Sequence, residues 1–243
     1  MGSCLADRFG DLTDLTPAER DTLDQLERRD RTLRRGAVLL RERDPIADLF
    51  VLKQGRMMSY VLLPDGSRQI LRFLFPGDLL AVSALVYRTS PETIAALTDS
   101  VVAPFERAAM ARIIVEQPRL AAIIMAAHQI ERMALTDRLA SLGRTSARGR
   151  VAGLLLDVRD RLAATDRSIR ACFVLGLTQE EIGDATGLTS VHVNRMLRRL
   201  EDEGLIARDA VRVTILDESK LARIAHHVDR LGGIDLSWLP PAR

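Results

Sequence analysis

The stretch GLTSVHVNRMLRRL, Gly187–Leu200, keeps its apolar residues at helical spacing: Leu188, Val193, Met196, Leu197 and Leu200. Thr189, Ser190, Val191, His192, Asn194 and Arg195 lie between them and form a face too polar for a core. Just upstream, QEEIGDAT (Gln179–Thr186) has the pattern of a second, shorter helix, with Thr178 at its cap position. Gly183 is small enough for another helix to cross close above it. Gly187 can take the left-handed turn that a Cβ would penalise. Ile182, Leu188, Val193 and Met196 supply the apolar contacts between the two helices. The spacing predicts a helix-turn-helix, with an ordinary helical hairpin as the plainer alternative. Thr186 departs from the pattern, because an apolar residue is expected there.

A recognition helix enters a major groove about 12 Å wide and reads base edges from its N-terminal residues. Here those residues are Ser190, Val191, His192, Asn194 and Arg195, with Thr189 at the entry. Arg195 can donate two hydrogen bonds to a guanine, and Asn194 can pair with adenine or reach a phosphate. Val191 has no polar group, so a thymine methyl is its natural contact. Thr178, Gln179, Arg198 and Arg199 are candidates for phosphate contact, which sets register without reading sequence. For the last two, a merely solvated face is the alternative. The run GLIARDAVRVTIL then alternates around Arg208–Ala210 and predicts a β-hairpin wing, whose Arg208 or Arg212 could touch the backbone.

Upstream of the helix-turn-helix the texture differs. TPAERDTLDQLERR opens with a capping box, Thr16 and Glu19, around Pro17 and predicts a short helix. From about Arg34 to Glu106, short apolar runs alternate with turn signals at Asp44-Pro45, Gln54-Gly55, Pro64-Asp65-Gly66 and Pro76-Gly77-Asp78. That punctuation predicts an antiparallel barrel or sandwich, with a hairpin in which Asp65-Gly66 supplies the positive φ angles. After Gln117-Pro118 a helix of about 25 residues follows, on the periodic spacing of its apolar residues. Leu120, Ile123, Ala127, Ile130 and Ala134 form a seam of coiled-coil spacing, assigned to a dimer interface. Ile124, Leu135, Leu139 and Leu142 form a second stripe. Burial of the helix within one domain is the alternative. Gly143 is expected to end this helix and act as a hinge. A further helical region starts at Ser146, and DESKLARIAHHVDRLGG predicts a last amphipathic helix.

The 243 residues suit about two domains. Three segments are expected: 1–117 a β-roll, 118–143 a dimerisation helix, and 144–243 a winged helix-turn-helix with a C-terminal helix and tail. The fold class is therefore α+β. No run approaches the roughly 18 to 20 apolar residues that span a bilayer, and the N-terminus lacks a signal-peptide run, so a cytoplasmic, non-membrane protein is expected. The net charge of +2 permits nucleic-acid binding without requiring it. Cys4 and Cys172 are too few for an iron–sulfur or zinc site, so they are expected to be reduced thiols, with a redox role for Cys4 as the alternative. No nucleophile elbow, phosphate loop or metal cluster is present, which weighs against an enzyme.

The order of these parts resembles the cyclic-AMP receptor protein and FNR (Crp/Fnr) superfamily of bacterial transcription regulators. The resemblance rests on DLFVLKQGRMMSYVLLPDGSRQILRFLFPGDLLAVSALV, on the long helix, and on LTQEEIGDATGLTSVHVNRMLRRLEDEGLI. It implies a jelly-roll sensor domain and a homodimer that binds double-stranded DNA at an inverted repeat, with RNA polymerase as partner if the protein is an activator. It also implies departures. Cyclic-nucleotide binders of the family carry Gly-Glu-Leu after the PGD turn and an Arg-Ser pair later. Here the first position reads Ala81–Ser83 and the second falls near Ser90–Thr93 without an arginine, so a cyclic phosphate would face no cation. FNR-type oxygen sensing needs several N-terminal cysteines, and only Cys4 is there. His128, His192, His226 and His227 all lie outside the roll, which argues against a haem held by a roll histidine. No cofactor or metal is therefore assigned, and an unfamiliar small effector stays open. Many relatives carry a glutamate where Val191 stands, so a half-site near the FNR-type TTG pattern, read differently at that position, is expected. A ligand-binding or regulatory module that kept the roll but lost DNA binding is the alternative function.

Overall fold

The computed structural model describes residues 2–228, 230 and 233–242. The chain forms two compact units: residues 1–61, 72–133 and 235–243 in the first, and residues 62–71 and 134–234 in the second.

The strands between Arg31 and Glu106 form a roll of two four-stranded antiparallel sheets, most of it in the first unit. One has the order β1-β8-β3-β6, from strands Arg31–Leu33 (β1), Ser100–Glu106 (β8), Asp48–Gln54 (β3) and Leu79–Leu80 (β6). The other has the order β2-β7-β4-β5, from Val38–Leu40, Thr93–Ala96, Met57–Leu62 and Arg68–Leu74. Strand β3 shows why its sequence runs apolar without alternating. Phe50 and Leu52 join Leu33, Met57, Leu74 and Ile94 in a cluster between the sheets. Leu49 and Val51 point the other way, into a cluster with helices Cys4–Gly10 (α1), Pro17–Leu26 (α2), Arg107–Glu116 (α3) and Pro118–Arg144 (α4). A strand covered on both faces has no polar side to present. Helix α2 begins at the expected capping box, with both reciprocal hydrogen bonds made. The sequence reading did not foresee α1, which is held by Glu27: that carboxylate accepts from the Ser3 hydroxyl and from the Cys4 and Leu5 amides.

Several expectations change. In the hairpin between β4 and β5 only Gly66 takes a positive φ. Asp65 does not, and its carboxylate instead accepts from the Ser67 amide and hydroxyl. Helix α4 is 27 residues long and runs through Gly143 to Arg144, so the expected stop falls inside its last turn. Leu120 and Ile123, placed on the dimer seam by spacing, are wholly buried within their own unit. Ala127 packs partly against the same core, Ile130 is half-buried, and Ala134 is exposed. The large apolar side chains that α4 leaves exposed are Met125, Leu135 and Leu139. The tail also departs from its expected place: residues 235–242 group with the first unit, where Leu239 packs against the helix-side core. The last helix is shorter than its pattern, ending at Ala225 with His226 left-handed; Asp229, Leu231 and Gly232 lie outside the described residues.

Ala81 sits in the left-handed region, φ 55°, at the start of a 3₁₀ turn (Val82–Leu85), and is buried. An L-residue there costs roughly 1–2 kcal/mol, and glycine would remove most of it. Against this stand about 0.4–1 kcal/mol of added unfolded-state entropy and a lost methyl contact. Ala81→Gly is therefore expected to be neutral or to stabilise by about 0.5 kcal/mol in urea unfolding, whereas most buried substitutions destabilise.

In the second unit, α5 (Ala147–Thr165), α6 (Gln179–Thr186), α7 (Ser190–Asp202) and α8 (Glu218–Ala225) pack with a small sheet of order β10-β11-β9. Its strands are Cys172–Val174 (β9), Ile206–Asp209 (β10) and Arg212–Ile215 (β11). The expected wing is the β10–β11 hairpin. The unexpected β9 adds a third strand on the far side of β11. Residues 62–71 count with this unit through Arg68, which pairs with Asp184 at 2.7 Å, and Gln69, which donates to the Asp184 carbonyl.

Candidate nucleic-acid interface

The site is built on the angle between α6 and α7. Thr178 caps α6 by accepting from the Glu181 amide, and Glu181 returns the bond to the Thr178 amide at 2.7 Å. Gly187 ends α6 in the left-handed conformation, φ 65°, and its amide donates to the Gly183 carbonyl. Gly183 is needed for a second reason: a Cβ there would overlap the backbone oxygen of Leu188. The chain therefore turns back over α6 at close range before α7 begins. Thr186, which broke the expected apolar pattern, is buried, and its hydroxyl donates to the Ile182 carbonyl at 2.7 Å. A polar residue is tolerated because its one donor is satisfied within its own helix.

Helix α7 divides as its spacing predicts. Val193, Met196, Leu197 and Leu200 are buried against the unit. Thr189, Ser190, Val191, Arg195, Arg198 and Arg199 are exposed, and His192 and Asn194 are half-buried on the flanks. Val191 is 79% exposed, a β-branched apolar side chain held out in solvent on the face that carries Arg195. The structure gives Thr189 a definite local role: it caps α7, accepting from the His192 amide at 3.3 Å. Its hydroxyl proton is still able to donate outward. Thr178 and Gln179 lie exposed at the start of α6.

The basic residues are not equivalent. Arg199 donates from Nε to Glu203 at 3.0 Å, and Arg148 at the start of α5 reaches the same carboxylate at 2.5 and 2.6 Å. Burial pushes the Glu203 carboxyl up, but hydrogen bonds from Arg199 and Arg148 outweigh it and hold the group below its ordinary range. Arg199 is therefore oriented as well as charged. Beside it lies a groove of about 640 Å³ lined by Ser146, Ala147, Arg148, His192, Arg195, Met196 and Arg199. The sequence reading missed Arg148 and this groove; the signal was the cap-like Ser146, whose side chain accepts from the Gly149 amide at the head of α5. On the wing, Arg208 is engaged with Glu201 at 2.5 Å and is half-buried, whereas Arg212 is exposed. Of the two wing arginines proposed from sequence, Arg212 is the one displayed.

Cys4, the thiol with a redox role as its alternative, is sheltered. It is half-buried, its Sγ lies 3.4 Å from the Lys53 carbonyl, and burial followed by Glu27 and Asp7 pushes the thiol up. Cys172 is exposed on β9, and a hydrogen bond with Thr214, aided by Arg212, draws its thiol down. The thiolate is the reactive form. In native protein near neutral pH, iodoacetamide is expected to label Cys172 about tenfold faster than Cys4, as counted by peptide mass spectrometry. Equal rates would mean that Cys4 is not sheltered as described.

A helix crossing over a glycine, an exposed polar face on an apolar base and an adjoining wing together define a winged helix-turn-helix DNA-binding protein. Comparison with known proteins agrees. A Crp-like helix-turn-helix domain matches residues 149–224, and a cyclic nucleotide-binding domain matches residues 30–117. The nitrogen fixation regulation protein FixK of Bradyrhizobium diazoefficiens is 33% identical over 191 residues, which cover 78% of this chain and 79% of that protein. The transcriptional activator protein Anr of Pseudomonas aeruginosa is 29% identical over 213 residues, 87% of this chain and 86% of that one. The solved structure of FixK2 from Bradyrhizobium japonicum superposes with a TM-score of 0.73 at 26% identity, covering 81% of this chain and 96% of that one. The chain belongs to the Crp/Fnr family of transcription regulators and carries that family's helix-turn-helix DNA-binding domain. Among the described residues, no helix is long and apolar enough to cross a membrane.

Proposed function

We propose that this protein is a non-enzymatic, cytoplasmic homodimer that regulates transcription by reading an inverted-repeat DNA site with α7. The observation that carries this reading is the exposed face of α7, where Ser190, Val191 and Arg195 stand clear of a fully buried apolar base. Arg195 donates to guanine in each half-site, Val191 contacts a thymine methyl, and Asn194 and His192 flank them. Thr178, Gln179, Thr189, Arg198, Arg199 and the wing residue Arg212 contact phosphates. The groove beside α7 adds Arg148 to that set. Relatives named a transcriptional activator protein and a nitrogen fixation regulation protein support the reading. Where this protein activates, RNA polymerase is the partner it must engage.

The dimer face proposed for α4 is the exposed one, Met125, Leu135 and Leu139, and not the buried pair Leu120 and Ile123. Met125 and Leu139 are two heptads apart and so share a side of a coiled-coil helix. Leu139→Glu is expected to turn the dimer into a monomer in sedimentation, because an uncompensated charge would enter the seam. Selection from a random DNA pool tests the whole reading. Expected are inverted repeats about one helical turn centre to centre, each half-site with a guanine, bound with an affinity that falls steeply with salt. Recovery of no preferred sequence would reject it.

A further inference from the structure

Arg72 of β5 is placed between two carboxylates from other elements. Its Nη2 lies 3.4 Å from Oε1 of Glu92, the residue just before β7, and its Nη1 donates to Glu131 of α4. The three side chains are 18%, 15% and 29% exposed. Ser90 buttresses the turn before β7, its hydroxyl donating to the Glu92 carbonyl at 2.6 Å. His128, one turn earlier on α4, places Nδ1 3.6 Å from the other Glu131 oxygen.

The position matters because Glu92 falls in the segment Ser90–Thr93, where the family's nucleotide binders keep a phosphate-binding arginine. The sequence-based expectation was that a cyclic phosphate would meet no cation there. The structure adds a cation that the segment itself lacks: Arg72 comes from β5, in the same sheet but two strands from β7, and two carboxylates already share it. Arg72, Glu92 and Glu131 together carry one excess negative charge. An entering phosphate would have to take Arg72 from its partners and would leave two sheltered carboxylates facing an anion. Meanwhile Glu131 is on α4, close to where the first unit's part of that helix ends at Met133. The ion triad therefore links β5 and the turn before β7 to the helix.

We propose that the roll is closed by its own side chains: Arg72, held between Glu92 and Glu131, stands in for an anionic effector and ties α4 to the roll without one. Where the consequence is DNA binding, this rests on the function proposed above. The tie itself does not, and it can be measured without DNA.

The test uses the full chain without added ligand. Amide hydrogen exchange is compared for wild type, Arg72→Met and Glu131→Gln. In both variants, amides of residues 127–133 are expected to exchange about tenfold faster. Glu131→Gln is nearly isosteric and carries the test if Arg72→Met does not fold. Unchanged exchange in Glu131→Gln overturns the proposal. So does binding of cyclic AMP by wild type at micromolar concentration, read by titration calorimetry. In parallel, wild type is expected to bind its selected DNA without nucleotide, with Glu131→Gln about tenfold weaker; tenfold is about 1.4 kcal/mol. Failure of wild type to select any DNA, with the exchange pattern intact, removes the DNA reading and leaves the triad standing.

Discussion

Arg195→Ala is expected to weaken binding to the selected inverted repeat by about 1–3 kcal/mol per contact, roughly fivefold to more than a hundredfold. A homodimer makes the contact twice, so the full loss on a symmetric site is larger. The side chain is exposed on α7, clear of the buried base of Val193, Met196, Leu197 and Leu200, so its removal should leave the fold unchanged. Binding to random DNA should fall far less, because phosphate contacts from Arg198, Arg199 and Arg148 persist. A fluorescence anisotropy titration of both DNAs at fixed salt separates these effects. An equal loss on both would make Arg195 a phosphate contact, and the helix would have to be docked differently. The same assay with Val191→Glu should move preference away from the thymine-bearing half-site toward one offering a cytosine amino group, since a carboxylate accepts there and a methyl does not.

Gly183→Val is expected to destabilise the second unit by about 3 kcal/mol, from overpacking at the high end of its usual range. The Cβ alone overlaps the Leu188 carbonyl oxygen, and that atom is backbone that cannot swing aside. Valine gains back a few tenths of a kcal/mol of helix propensity over glycine, too little to compensate. For a unit of about 100 residues this corresponds to a fall in melting temperature on the order of 10 °C or more. Calorimetry should show that loss in one transition, and DNA binding should fail even at temperatures where the variant is folded, because α7 must rise from α6 to relieve the overlap. By contrast Thr186→Val, which exchanges one satisfied hydroxyl for a methyl, should stay within about 1 kcal/mol of wild type. A Gly183→Val protein of normal stability would mean that the helices do not cross as described.

The helix-turn-helix was legible because every signal for it is local. The Thr178 cap, the small Gly183, the left-handed Gly187 and the stripe from Val193 to Leu200 all act over a few residues. The same holds for the capping box at Thr16 and for the wing. The α4 helix was legible as a helix with two apolar stripes, but not what each stripe faces. Leu120 and Ile123 repeat at the same spacing whether they face a second subunit or α4's own roll, and periodicity carries no information on which. In the fold both are enclosed with Leu49, Leu23 and Phe9 in their own unit. Helix α1 escaped notice because its anchor, Glu27, lies 22 to 24 residues away.

Local chemistry in the chain thus settled the order of elements, the class of the DNA-binding unit and the residues that α7 displays. Capping, turn conformation and amphipathic spacing depend only on near neighbours. The path of the chain through space decided the rest. It put Arg148 and Arg199 on one carboxylate, buried a threonine harmlessly at position 186, and engaged Arg208 while leaving Arg212 displayed. It also brought Arg72, Glu92 and Glu131 together across separations of 20 and 59 residues. A charge that meets its partner at that range leaves no trace in spacing, because the contact is made by how strands and helix stack and not by how residues follow one another.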